Sequence, residues 1–122
     1  MCNCVFCKII RKEIESKIIY EDDLVVAFLD LNQDCPGHCL IIPKEHVLSL
    51  HDISESVLNH LLKVANELYY NFENSLNCDG LTLLQNNGSA QDVKHFHLHL
   101  LPKYLKKPDL SVDEIYNKII TK

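Results

Sequence analysis

The sequence lacks any apolar run approaching the roughly 20 residues of a membrane-spanning helix. It also lacks the basic excess of a protein that holds nucleic acid by neutralising phosphates. With 12 basic residues against 17 acidic ones, the formal net charge is −5. A small phosphorylated ligand stays within reach, because it needs only a few local donors. Met1-Cys2-Asn3-Cys4 does not begin as a signal peptide does, so a cytoplasmic protein with no membrane and no nucleic-acid partner is expected. Glycine is scarce, three in the chain, and there is no internal repeat or low-complexity segment. At 122 residues and 47% hydrophobic content, residues 1–122 are expected to form one domain with a real core. Six cysteines in an apparently unsecreted chain point to reduced thiols or metal ligands more than to a disulfide framework. Cys35, Cys39 and Cys78 read as small apolar packing residues. Cys4 and Cys7 alone have a spacing that a metal could use from a single turn.

Lys8-Ile9-Ile10-Arg11 reads as a short helical turn and Ile18-Ile19-Tyr20-Glu21 as a strand. Asp22-Asp23 turns the chain into Leu24 to Asp30, a second strand apolar enough to be buried on both faces. Cys35-Pro36-Gly37 breaks it, and His38 to Ile42 forms a third strand ending at Pro43, which completes an antiparallel meander. From Ser54 the period becomes helical, with Leu58, Leu61, Leu62, Ala65, Leu68 and Phe72 on one stripe. Asp52 or Ser54 caps its start, and Asn77 to Gly80 supply the stop. Leu81 to Gln85 is a fourth strand and the segment from Val93 to Leu101 a fifth. Ser111-Val112-Asp113-Glu114 fits the capping box of a closing helix through Ile119 and Ile120. The expected fold class is α+β: an antiparallel five-stranded sheet with one long helix and short terminal helices.

Within the fifth strand, His95, His97 and His99 stand at every second position. A strand has a side-chain period of two, so the three imidazoles share one face while Phe96, Leu98 and Leu100 take the other. The spacing alone leaves three readings open: a metal-binding strand, a nucleophilic site, or a coincidence on a polar face. Just upstream, Asn86-Asn87-Gly88-Ser89-Ala90-Gln91 is a loop of small and amide residues, suited to bring backbone and amide donors to an anion.

In these features the chain resembles the histidine triad (HIT) family of nucleotide hydrolases and transferases, in its bacterial, zinc-containing branch. The likeness runs through Phe6-Cys7-Lys8-Ile9-Ile10, Lys17-Ile18-Ile19-Tyr20-Glu21-Asp22-Asp23, Phe28-Leu29-Asp30, Gly37 to His46, and Gln91-Asp92-Val93-Lys94-His95. The resemblance implies reaction at a nucleotide α-phosphate. His97 would attack phosphorus to give a nucleotidyl-histidine that water resolves, releasing a nucleoside 5′-monophosphate; a neutral imidazole is a good nucleophile near pH 7. His99 would donate to the phosphate or bridging oxygen, and Gln91 with the loop amides would hold the non-bridging oxygens. Asp30 would accept both ribose hydroxyls. Phe6, Ile9, Phe28 and Leu31 look like the apolar pocket of a purine base, though each is equally a core residue by composition, and Asn86 or Asn87 would meet the sugar or phosphate.

The same resemblance implies a structural zinc held by Cys4, Cys7, His46 and His95, closed to catalytic water, and a homodimer joined through the long helix and a sheet edge. The alternatives are a dinucleoside polyphosphate hydrolase and, in another class, a zinc-stabilised nucleotide-binding module with little turnover. Between the two hydrolases the segment from Lys103 to Lys122, which borders the site in relatives, would decide. Two departures stand out. The loop before the triad is two residues shorter than the family's, with Ala90 in place of a glycine, and Asp92 replaces the serine of phosphoramidate-cleaving members. His38, His51 and His60 have no evident partner and read as surface or packing residues.

Overall fold

Runs of apolar residues broken by Asp22-Asp23, Pro36-Gly37 and the Asn77 to Gly80 stop divide the chain into strands and helices. The structure, a computed structural model, describes residues 4–121. In order the elements are α1 (Val5–Ile10), β1 (Ile18–Glu21), β2 (Val25–Leu29), β3 (Cys39–Pro43), α2 (Glu55–Ser75), β4 (Gly80–Gln85), a 3-10 turn at Gly88–Ala90, β5 (Leu98–Lys103) and α3 (Val112–Ile120). The strands form one antiparallel sheet in the order β1-β2-β3-β5-β4. The expected α+β architecture is therefore present.

Alternation along each strand divides the interior into two layers. Val25, Ala27, Leu29, Cys39, Ile41, Leu98 and Leu100 point to the face covered by α2 and α3. Val26, Phe28, Leu40 and Ile42 point to the other face, which Phe6 and Ile9 of α1 cover. β2 and β3 are buried throughout, as expected of strands with an apolar layer on each side. Ser54 caps α2 by accepting from the Val57 N–H, whereas Asp52 closes the preceding turn on Ser49. The buried stripe of α2 is Leu61, Val64, Ala65, Leu68 and Phe72. The expected Leu62 instead lies outward at 43% exposure, one helical step of about 100° from the buried Leu61, and Val64 takes an inward place. Asn77 ends the helix in the left-handed region at φ 58°. α3 carries the expected capping box, with Ser111 and Glu114 exchanging backbone hydrogen bonds.

The β1–β2 turn is clasped to α2 by one carboxylate. Asp22 accepts from the Tyr20 hydroxyl at 2.7 Å and from His60 Nε2 at 2.6 Å, and its other oxygen takes the Leu24 and Val25 N–H groups. Burial pushes its carboxyl up, but those four donors outweigh it and hold the group well below the usual carboxylate range. The same bond pushes the Tyr20 phenol up to about 12. His60, read as a surface or packing residue, is thus a partner in this clasp. Asp22→Asn keeps an acceptor for the backbone but loses the oxygen shared by Tyr20 and His60. The expected cost is about 1.5–3 kcal/mol at neutral pH, measured by urea denaturation. Because the folded carboxyl titrates below its unfolded value near 3.9, this contribution is complete above about pH 4 and is lost as pH falls through the folded value. The gap between variant and parent should close only in acid; a gap constant down to strongly acidic pH contradicts a role for the charge.

Candidate active site and metal centre

Cys4 caps α1 by accepting the Cys7 N–H at 3.2 Å, which brings both thiols to one end of that short helix. There they meet His46, three residues beyond β3, and His95, before β5. The four donor atoms lie within 4.8 Å of one another. Sulfur-to-nitrogen separations run from 3.3 to 3.6 Å, and the two Nδ1 atoms are 3.1 Å apart. A tetrahedral ion with bonds of about 2.3 Å to sulfur and about 2.0–2.1 Å to nitrogen has sulfur–nitrogen edges of about 3.5 Å, so the donors fit a metal as they stand. His95 is fully buried, and its Nε2–H donates to the Pro43 carbonyl at 2.9 Å, which turns the Nδ1 lone pair to the cluster. Burial also pulls its pKa below the ordinary imidazole value, favouring the neutral, ligating ring. Four protein donors would fill the positions of a tetrahedral ion and leave none for a water.

The paired part of β5 begins only at Leu98, so His95, in a bend whose N–H turns back to the Val93 carbonyl, and His97 lie in a lead-in and not in the strand expected to carry all three histidines. In that lead-in the Phe96 N–H bonds to Val47, just past the end of β3, instead of entering the ladder. The alternation nevertheless holds: Phe96, Leu98 and Leu100 face α2. His99 stands opposite Leu40 on the α1 face, and the rings of His95 and His97 meet Phe6 edge-on. His97 Nδ1 lies 2.7 Å from the His95 carbonyl. A carbonyl only accepts, so Nδ1 bears the hydrogen and a neutral His97 carries its lone pair on Nε2. Near that atom stand Asp92, with Oδ1 at 3.3 Å, and His99, whose ring centroid is 5.0 Å from that of His97. His99 Nδ1 is in turn 3.0 Å from His38 Nε2, which approaches Asp30 to 4.0 Å. Burial, followed by the neighbouring His97 and His38, pulls His99 below the usual imidazole value. An arriving anion would oppose that shift.

Phe6, Ile9 and Phe28 come together in one buried cluster, the two phenyl rings 5.5 Å apart. Leu31 does not join them. It is 88% exposed on the loop after β2, at the edge of a groove of about 540 Å³ shared with Lys17, Ile18 and Tyr116. Asp30, just past β2, turns one oxygen toward His38 and has the other held by the Asn32 N–H. Asn87 is engaged by the Leu50 N–H and by Gln85, whereas Asn86 has no side-chain partner among the described residues and is the one of the pair free to meet a ligand. The loop itself is folded in on its own acceptors. Gln91 is buried and donates to the Leu48 carbonyl, and the Ala90 and Gln91 N–H groups close on Asn87 and Gly88. It forms a tight 3-10 turn in place of an open cradle of amides.

His38 went unrecognised in the sequence as a neighbour of the triad. The available signal was its position after Gly37 at the head of a strand, but its partner is 61 residues away and only the β3–β5 pairing joins them. α3, at the end of the chain, is buried in the α2-side layer. Within one chain it therefore lies across the sheet from the triad and does not border it, a path the sequence alone left open.

A five-stranded antiparallel sheet presenting alternating histidines beside a cluster of two cysteines and two histidines defines a known class of small α+β domain. A model of the HIT domain matches residues 11–106, and the chain belongs to the HIT family. It is 41% identical over 111 residues to the adenosine 5′-monophosphoramidase of Saccharomyces cerevisiae, covering 89% of this chain and 68% of that protein. Among solved structures, a HIT-like protein involved in cell-cycle regulation from Bartonella henselae superposes with a TM-score of 0.86 at 33% identity, over 98% of this chain and 95% of that one. A zinc-bound histidine triad family protein from Mycobacterium smegmatis does so with a TM-score of 0.90 at 28% identity, over 98% and 91%. Among the described residues, no helix is long and apolar enough to cross a membrane.

Proposed function

We propose that this chain is a nucleotidyl hydrolase or transferase acting at the α-phosphate of an adenine-type purine nucleotide. The observation that carries the reading is the His97 tautomer: the His95 carbonyl takes the Nδ1–H and leaves Nε2 as the nucleophilic atom, on a face shared with His99, Asp30 and the apolar cluster of Phe6, Ile9 and Phe28. The Nε2 lone pair forms a bond to phosphorus as the bond to the leaving group breaks, and the departing atom keeps that electron pair and takes a proton from His99. Water then attacks phosphorus, the P–N bond breaks with its pair returning to Nε2, His99 recovers a proton, and the nucleoside 5′-monophosphate departs. Asp30 accepts the ribose hydroxyls, Asn86 meets the sugar or phosphate, and Leu31 closes over the base from its exposed loop. Gln91, tied to Leu48, serves by fixing the loop, and its amide reaches phosphate only if that tie is exchanged.

Similarity to a yeast protein named for phosphoramidate cleavage supports the hydrolase reading, and similarity to a zinc-bound relative supports zinc at Cys4, Cys7, His46 and His95. There zinc would be a staple, outside the reaction path. The chain is further proposed to act in the cytoplasm as a single domain that pairs with a second copy. β4 is an unpaired sheet edge with Leu83 and Leu84 exposed, and Leu62 and Tyr70 of α2 are exposed as well.

The test is incubation with adenosine phosphoramidate, adenosine 5′-sulfatophosphate and a diadenosine polyphosphate, followed by trapping of an acid-labile adenylyl group. Label on His97 with release of AMP is expected. Binding of all three without label or release would instead favour a zinc-stabilised nucleotide-binding module.

A further inference from the structure

The reaction above assigns no task to the acidic group nearest the nucleophile. We propose that Asp92 is a specificity-determining residue that reads the charge of the leaving group, favouring departing groups with a positive charge and disfavouring polyphosphates. This rests on the α-phosphate reading and deepens it.

Three observations support it. Asp92 Oδ1 is both 3.3 Å from His97 Nε2 and the acceptor of the Val93 N–H at 2.8 Å, so the carboxylate is pinned at the mouth of the site while its side chain stays 78% exposed. Second, the group is held ionised. The Val93 N–H outweighs the opposing effect of burial, and His97 and His99 add to it, keeping its pKa below the usual range. Third, among the described residues no lysine or arginine forms an ion pair with it. Lys94, two residues on, is engaged by the Gly88 and Gln91 carbonyls, the chain's single arginine is paired with Glu13, and the other carboxylate of the site is Asp30.

For in-line attack the phosphorus stands about 3–3.5 Å from Nε2, with the leaving group on its far side. The α-phosphate feels Asp92 equally in every substrate, so that repulsion cancels when two leaving groups are compared. Beyond it, a leaving group a few atoms long comes within about 6 Å of the carboxylate. At the dielectric of a half-exposed site, each unit of its charge then changes the rate by about tenfold, attractive for ammonium and repulsive for phosphate.

The experiment compares kcat/KM for three substrates sharing one adenylyl group: the adenosine 5′-phosphoramidates of 1,4-diaminobutane and of butylamine, and diadenosine triphosphate. The parent should prefer the free ammonium over its neutral analogue by about tenfold, less in high salt. Asp92→Asn, which keeps an acceptor for Val93, should bring that ratio close to one and raise triphosphate cleavage by at least about tenfold, the effect of the nearer β-phosphate charge alone. Asp92→Glu should keep the preference. The same ratio is read as Kd by titration calorimetry in a His97→Ala background, with and without Asp92→Asn, so that turnover is not needed. A ratio that Asp92→Asn leaves unchanged in both measurements overturns the proposal. Absence of turnover and of adenylyl-His97 in the parent, with a Kd ratio that still follows the charge at position 92, overturns the hydrolase reading and leaves this one standing.

Discussion

His97→Ala is expected to lower kcat by at least about 10³-fold, equivalent to about 4 kcal/mol of transition-state stabilisation, while nucleotide binding changes little. The asymmetry follows from where the imidazole acts. On the proposed reading its Nε2 would bond to phosphorus only during reaction, whereas base and ribose would be held by the cluster of Phe6, Ile9 and Phe28 and by Asp30. Loss of a group used only in the transition state falls on kcat and kcat/KM together, with the substrate Kd held. Because His97 is 1% exposed and packs edge-on against Phe6 at 5.0 Å, truncation also leaves a small void. His97→Gln, with similar reach, therefore serves as the second variant, and metal content and thermal unfolding confirm that each is folded. The checks are single-turnover release of AMP and the disappearance of the acid-labile label. A variant that turns over at the parental rate excludes the nucleophile.

What the sequence made visible was what adjacent residues determine among themselves. β1 emerged with its observed ends because Ile18 to Glu21 is bounded by local breakers, and the α3 capping box is a four-residue pattern complete in itself. The two layers followed from the period of the strands. Whatever depended on pairing between distant segments stayed hidden. His60 and Asp22 are 38 residues apart, and nothing local links the start of α2 to the β1–β2 turn. Likewise, where the fifth strand begins to pair is set by β3 and β4 and by Val47, not by the histidine pattern. The cluster of two cysteines and two histidines was recoverable only through resemblance. Cys4 and Cys7 declare themselves by spacing, but His46 and His95 join them through the fold. The site thus owes its residue types to local sequence and its distances to topology.

Removing the metal should show how far the two halves of the site depend on each other. Zinc at Cys4, Cys7, His46 and His95 would tie α1 to the chain beyond β3 and to the lead-in of β5. At free metal about 1,000-fold above Kd this stabilises the folded chain by about 4 kcal/mol. For a domain of this length, extraction with a strong chelator, or Cys7→Ser, should then lower Tm by about 10–20 °C. The loss should be local first: α1 contributes Phe6 and Ile9 to a small layer of its own, so its amides lose exchange protection while those of β2, β3 and α2 remain protected. Activity should fall as well, by about 10- to 100-fold, the range seen when groups supporting a site are removed. The route is through His95, whose ring would hold the metal and whose carbonyl holds the Nδ1–H of His97. A loosened His95 frees the nucleophile to turn its lone pair away from phosphorus. The fall should therefore be in kcat, it should be smaller than that of His97→Ala, and added zinc should reverse it in the extracted protein. If extraction confirmed by metal analysis leaves Tm, the α1 amides and kcat all unchanged, the cluster is neither a staple nor a support for the nucleophile.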